Sequence, residues 1–189
     1  MTGDQYVGGV ERAHRTDVDA IVYDLDGTLV RLAVDWATVE REVGTILDES
    51  GASVDGMSLW EMLDVADETD GAAVSTAVEE TIAARERDGA RRSTRLPLAD
   101  ALADADVPVG VCSLNCEAAC RIALDTHGLA EYVDVVVGRD SVATRKPDPD
   151  PLLAAVRALS SAPERALFVG DSESDEATAN AAGTAFEYV

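Results

Sequence analysis

Five short apolar runs, at positions 20–23, 107–111, 133–137, 166–169 and 185–189, constrain this chain more than any other feature. They are strand-sized and rich in β-branched residues, and their near-continuous apolarity suits strands buried on both faces. Helical stretches separate the last four. One covers 117–127 and is closed by Gly128, where a left-handed cap is wanted; a second covers 149–159, begun by Asp148 and Pro149; a third covers 176–182, closed by Gly183. Strands alternating with helices give a parallel sheet covered on both faces. The expected fold is α/β, a doubly wound, Rossmann-like parallel sheet of five strands.

The first crossover breaks the rhythm. Between Val30 and Pro97 no strand is predicted, only helices near 36–49, 58–67 and 72–88, punctuated by Gly51, Gly56 and Gly71. Such a connection is far longer than the roughly 2–6 residues of an ordinary βα loop. The expected organisation is therefore an α/β core from residues 1–30 and 96–189, with an α-helical cap inserted over 31–95. Residues 98–105 are expected to resume the core as a helix. A chain of 189 residues holds one core and a modest insertion more readily than two large domains.

Charge excludes some partners. The formal charge is −22, which repels nucleic acid and anionic membranes alike. No apolar run approaches the roughly 18–20 residues needed to span a bilayer. Residues 1–17 mix acids with Arg12 and Arg15 and lack a secretory signal, so they are expected to be a polar lead-in in an intracellular, cytoplasmic protein. Lys146 is the sole lysine among 15 basic residues, and Asp, Ala and Val are abundant. That composition resembles proteins of salt-accumulating halophiles, whose surface carboxylates stay hydrated while salt screens their repulsion. Cys112, Cys116 and Cys120 lack a second ligand cluster and read as buried reduced thiols, not a zinc site.

Ligands of open α/β sheets bind beyond the carboxyl ends of the strands, and each such end here carries reactive side chains. Asp24-Leu25-Asp26-Gly27-Thr28 follows the first run, Ser113 and Asn115 the second, Lys146 the third after a loop, and Gly170-Asp171-Ser172-Glu173-Ser174-Asp175 the fourth. Asp24 and Asp26 point the same way if the segment stays extended. With Asp171 and Asp175 converging on them, crowded carboxylates would repel and raise one another's pKa values. A hard divalent cation relieves this, and an all-oxygen, water-sharing site suits Mg²⁺. A carboxylate nucleophile, a lysine and a hydroxyl donor are the parts that phosphoryl transfer requires.

These four segments resemble, in order, the four motifs of the haloacid dehalogenase superfamily, and the inserted helices fall where that family carries its first type of helical cap. The resemblance implies that Asp24 is the nucleophile and Asp26 the general acid/base. It further implies that Asp24, the Asp26 carbonyl and Asp171 hold Mg²⁺ with Asp175 beside them, and that Ser113 and Lys146 hold the phosphoryl group. Gly27 permits a tight departure from the strand. Thr28 orients the loop on the phosphate-binding side, and Asn115 is either a helix cap or a substrate contact. A dehalogenase typically lacks the second aspartate, a phosphonatase needs a cap lysine absent here, and family mutases more often carry Val or Ile in place of Thr28. The implied activity is hydrolysis of a small phosphorylated metabolite, with phosphoglycolate phosphatase the nearest analogy. The alternatives are a phosphomutase and a non-catalytic binding protein of the same fold.

The cap residues say less. Arg41, Arg85, Arg87, Arg91, Arg92 and Arg95 can each be imagined gripping a second anionic group, but are more simply solvated or paired with acids. Trp36 and Trp60 are expected to be cap core.

Overall fold

A computed structural model describes residues 18–69 and 72–189; the lead-in expected over residues 1–17, and Gly71, lie outside them. Five parallel strands form one sheet: β1 (Ala20–Tyr23), β4 (Val109–Cys112), β5 (Val135–Val137), β6 (Ala166–Gly170) and β7 (Ala185–Tyr188), in the order β5-β4-β1-β6-β7. β1 sits at the centre, with Val22 opposite Gly110 on one side and Phe168 on the other. The pleat sends Ile21 and Tyr23 to one face and Ala20 and Val22 to the other. The first pair packs with Ala119, Cys120 and Leu124 of α4 (Glu117–Thr126). The second packs with Leu152 and Val156 of α5 (Asp150–Ala158) and Ala179 of α6 (Glu173–Ala182). Both faces are thus apolar, which is why the runs are continuous rather than alternating.

Helices α1 (Trp36–Glu49), α2 (Leu59–Glu68) and α3 (Ala72–Arg91) occupy the long first crossover and share their own apolar cluster, built on Val43, Leu47, Leu63, Val78 and Ile82. Asp35 caps α1 by accepting from Thr38 N–H, and Ser58 with Glu61 forms a capping box on α2.

Several boundaries differ from the sequence expectation. Val30–Arg31 (β2) pairs antiparallel with Thr94–Arg95 (β3) where no strand was predicted; two-residue strands are too short to leave a periodic signal. Residues expected to form a helix over 98–105 instead make a 3₁₀ turn over Pro97–Leu102. β4 starts at Val109, because Pro108 has no N–H to donate to a ladder. β5 starts at Val135, after a 3₁₀ turn over Ala130–Tyr132. Finally, α6 begins a turn earlier than expected, since Ser172 and Asp175 close a capping box over its first residues.

Candidate active site

The carboxyl ends of β1, β4 and β6 converge at the centre of the sheet. Asp24 leaves β1 with its N–H donating to Val169 O at 2.8 Å, so its carboxylate starts beside the end of β6. The chain then turns sharply: Leu25 O accepts from the N–H groups of Leu29 and Val30 at 2.9 and 3.0 Å. Gly27 has φ +101°, and a Cβ there would stand 2.0 Å from Asp171 Oδ2. Glycine is required at this position by conformation and by space together, and its absent side chain is what lets Asp171 approach the β1 loop.

Asp175 is buried at the start of α6. Its Oδ2 accepts from Ser172 Oγ at 2.6 Å, while its Oδ1 accepts from Lys146 Nζ at 2.5 Å. Lys146 also donates to Asp24 Oδ1 at 2.8 Å and to Cys112 O at 3.3 Å, and its ammonium lies 5.4 Å from the centroid of the Phe168 ring. One lysine thus bridges the ends of three neighbouring strands. Carboxylate oxygens of Asp24, Asp171 and Asp175 lie within 4.8 Å of one another. Set against one ammonium, three carboxylates leave an excess that a divalent cation balances, and an oxygen-only donor set suits a hard one. The residues fit Mg²⁺. The Asp26 side chain stays outside this cluster, its Oδ1 accepting from Leu32 N–H at 2.9 Å.

Charge and burial set the protonation behaviour. Burial pushes Asp24 up to about 6, Lys146 opposing and Asp175 adding to the rise. Asp26 is also raised, chiefly by burial, against the Leu32 N–H and Arg31. Burial alone would depress Lys146, but Asp24 and Asp175 outweigh it and hold the ammonium above its usual range.

Ser113 and Asn115 follow β4. Ser113 Oγ donates to Asn115 Oδ1 at 3.1 Å and accepts from Asn115 N–H at 3.2 Å. The residue at the N-cap of α4 is Cys116, so Asn115 is not the helix cap. Its Nδ2 donates to Glu86 Oε1 at 3.3 Å. Thr28 is buried and outside the cavity lining, with Oγ1 the only buried side-chain polar atom among the described residues that has no hydrogen-bond partner.

A cavity of about 280 Å³ opens over these groups. Asp24, Asp26, Ser113, Asn115, Lys146, Asp171 and Asp175 form its core side, and α1 and α2 contribute Trp36, Glu40, Leu59 and Trp60 opposite. The two indoles pack against the cap's apolar cluster, as expected, and also line the cavity. Of the six cap arginines, none lines it. Arg41 donates to Thr38 Oγ1 at 2.7 Å, Arg85 pairs with Glu42, Arg92 with Asp88 and Arg95 with Asp100.

Two residues of this site escaped sequence reasoning. Glu86 of α3 is fully buried, and Arg139, just after β5, nearly so. Arg139 donates to Glu86 at 2.6 and 3.3 Å, to Glu79 Oε2 at 3.0 and 3.1 Å, and to Leu114 O at 2.6 Å. Glu86 accepts in addition from Cys116 N–H at 2.9 Å. The pair clamps α3 onto the loop that presents Ser113 and Asn115. A signal existed: Glu86 continues the four-residue spacing of Val78 and Ile82 along the buried face of α3.

The profile of a family described as haloacid dehalogenase-like hydrolase matches residues 21–189. A curated phosphoglycolate phosphatase of Rhodospirillum rubrum is 34% identical over 186 residues, covering 87% of this chain and 76% of that protein. Among solved structures, a HAD-superfamily hydrolase of subfamily IA, variant 1, from Geobacter sulfurreducens PCA superposes with a TM-score of 0.57 at 26% identity, covering 89% of this chain and 88% of that one. CbbY from Rhodobacter sphaeroides in complex with phosphate superposes with a TM-score of 0.60 at 24% identity, covering 90% and 85%, a likeness of fold.

Proposed function

The chain belongs to the haloacid dehalogenase-like hydrolases, and from that membership and the geometry of the site we propose that it is a Mg²⁺-dependent phosphatase acting on a small phosphate monoester through an aspartyl-phosphate on Asp24. The observation that carries this reading is the meeting of Asp24, Asp171 and Asp175 within 4.8 Å, with Lys146 bridging two of them at the floor of a cavity.

In the first half-reaction a carboxylate oxygen of Asp24 attacks phosphorus in line and the ester oxygen departs. Asp26, whose carboxyl burial raises above its usual range, gives a proton to the leaving alkoxide. In the second half, Asp26 as carboxylate takes a proton from water, which attacks the phosphoryl group and releases Asp24 and inorganic phosphate. Lys146 and Ser113 face the phosphoryl oxygens throughout, the lysine neutralising charge where it accumulates. Asp24, the Asp26 carbonyl and Asp171, with Asp175 beside them, would hold Mg²⁺, which would supply Lewis-acid compensation of phosphoryl charge. Thr28, buried under the turn, shapes the loop rather than touching the ester.

Residues 31–95 act as the cap: α1 and α2 cover the cavity, exclude water and face the leaving group. The acidic, lysine-poor composition supports work in a concentrated-salt cytoplasm. The name of the Rhodospirillum rubrum relative makes 2-phosphoglycolate an ester to assay first. Phosphate release from an aryl phosphate, measured in molar KCl with and without Mg²⁺, tests the mechanism. It should require the metal and vanish in Asp24→Asn; equal activity with excess chelator, or in the variant, refutes it.

A further inference from the structure

The cavity is polarised. Lys146 is the one cation among its described lining residues, and Asp24 and Asp175 already engage it. On the opposite side stand Trp36 and Glu40 of α1 with Leu59 and Trp60 of α2. The two indole rings pack against each other, centroids 6.5 Å apart and planes inclined at 51°, and share the cavity lining with the Glu40 carboxylate. The arginine nearest in sequence to the floor, Arg145, is turned to Asp64 and Asp67 of α2, and Arg139 is consumed by Glu86 and Glu79.

A leaving group that ends in a carboxylate or a second phosphate would therefore meet the indoles and Glu40, with no cation other than the engaged Lys146 among the described lining residues. The negative faces of indoles attract cations and repel anions, and Glu40 adds Coulombic repulsion of the same sign. We propose that this site selects phosphate esters whose leaving alcohol carries no negative charge, uncharged or cationic, and that Glu40 with Trp36 and Trp60 sets that preference. The proposal rests on the phosphatase reading and departs from what the relatives' name suggests, since the alcohol released from 2-phosphoglycolate is an anion. Glu40 acts here on the leaving group alone and takes no part in the transfer of phosphorus.

Three two-carbon esters of matched size separate charge from shape: 2-phosphoglycolate, 2-hydroxyethyl phosphate and 2-aminoethyl phosphate end in a carboxylate, a hydroxyl and an ammonium. With the full chain and saturating Mg²⁺, at the lowest KCl that keeps the fold, kcat/KM should rise in that order, with about tenfold between carboxylate and hydroxyl. Glu40→Gln should compress the series to within about threefold, and Glu40→Arg should favour 2-phosphoglycolate. Trp36→Leu should lower the ammonium ester relative to the hydroxyl one. Ratios among the three esters are the readout, so a general loss of activity in a variant cancels. Because the selection is electrostatic, the wild-type spread should narrow as KCl is raised. Turnover of 2-phosphoglycolate equal to or above that of the hydroxyl ester in the wild type, or a spread unchanged in Glu40→Gln, overturns the proposal while leaving the phosphatase intact. Failure to cleave any ester, aryl phosphate included, overturns the phosphatase reading and this proposal with it.

Discussion

Replacing Arg139 with methionine, a side chain of comparable length without charge, probes the clamp behind the loop that carries Ser113 and Asn115. The guanidinium and the Glu86 carboxylate are 1% and 0% exposed. In Arg139→Met, Glu86 keeps the N–H of Cys116 and the amide of Asn115 but loses its countercharge in a site closed to water. Breaking a buried pair by removing one partner costs about 3–5 kcal/mol, which for a domain of this size lowers Tm by roughly 6–20 °C at roughly 2–4 °C per kcal/mol. Glu86→Leu should cost a comparable amount, since it strands those two donors and leaves the buried arginine only Glu79 and Leu114 O as partners. The double variant removes both charges at once and leaves chiefly the unpaired Asn115 amide and Cys116 N–H, about 1–3 kcal/mol each. Its loss should therefore fall short of the summed single losses, by about 4 kcal/mol at mid-range values. Urea denaturation of the four proteins, followed by circular dichroism, closes the cycle. The exposed pair Arg92–Asp88 is the control, where Arg92→Ala should cost no more than about 1 kcal/mol. An Arg139→Met loss as small as that control, or additive single losses, would refute the clamp.

Three further outcomes follow from the same geometry. Gly27→Ala combines a left-handed φ with a methyl group 2.0 Å from Asp171 Oδ2, so it should displace Asp171 and destabilise the protein by ~2 kcal/mol or more, with phosphatase activity lost; a fully active, equally stable variant contradicts the fit. Added Mg²⁺ should raise Tm in proportion to the logarithm of its excess over Kd, and Asp171→Asn should abolish that rise, as read by calorimetry without any substrate. In the proposed mechanism Asp26 carries a proton when the ester breaks, and Arg31 lowers its pKa. Removing the charge in Arg31→Gln should let Asp26 keep that proton to higher pH, so the alkaline limb of the kcat/KM profile moves upward; a downward shift contradicts Asp26 as the acid.

How much was legible from sequence varied with the range of the contacts. The five strands and the helices α1 to α6 follow from local pattern, because each buries a face whose residues are neighbours at fixed spacing. Asp24, Ser113 and Asp171 could be singled out because they stand just past the ends of such runs, and Lys146 because it is the sole lysine; the structure brings all four to one cavity. The β2–β3 ribbon was missed because its pairing joins Val30 to Arg95 across three helices and leaves no periodic trace. The early start of α6 was missed because Asp175 serves both in a capping box with Ser172 and as a neighbour of Lys146 and the clustered carboxylates of Asp24 and Asp171.

By itself the sequence determined the α/β class, the long helical crossover and the carboxylates that end the strands, since each depends on residue type and spacing along the chain. Only the tertiary structure decided that Lys146 bridges Asp24 and Asp175, that Glu86 and Arg139 clamp α3 to the loop carrying Ser113 and Asn115, and that Trp36, Trp60 and Glu40 line the cavity while the six cap arginines do not. Those facts depend on which side chains meet across tens of residues, and on which charges find a partner when water is removed. A periodic pattern records neither.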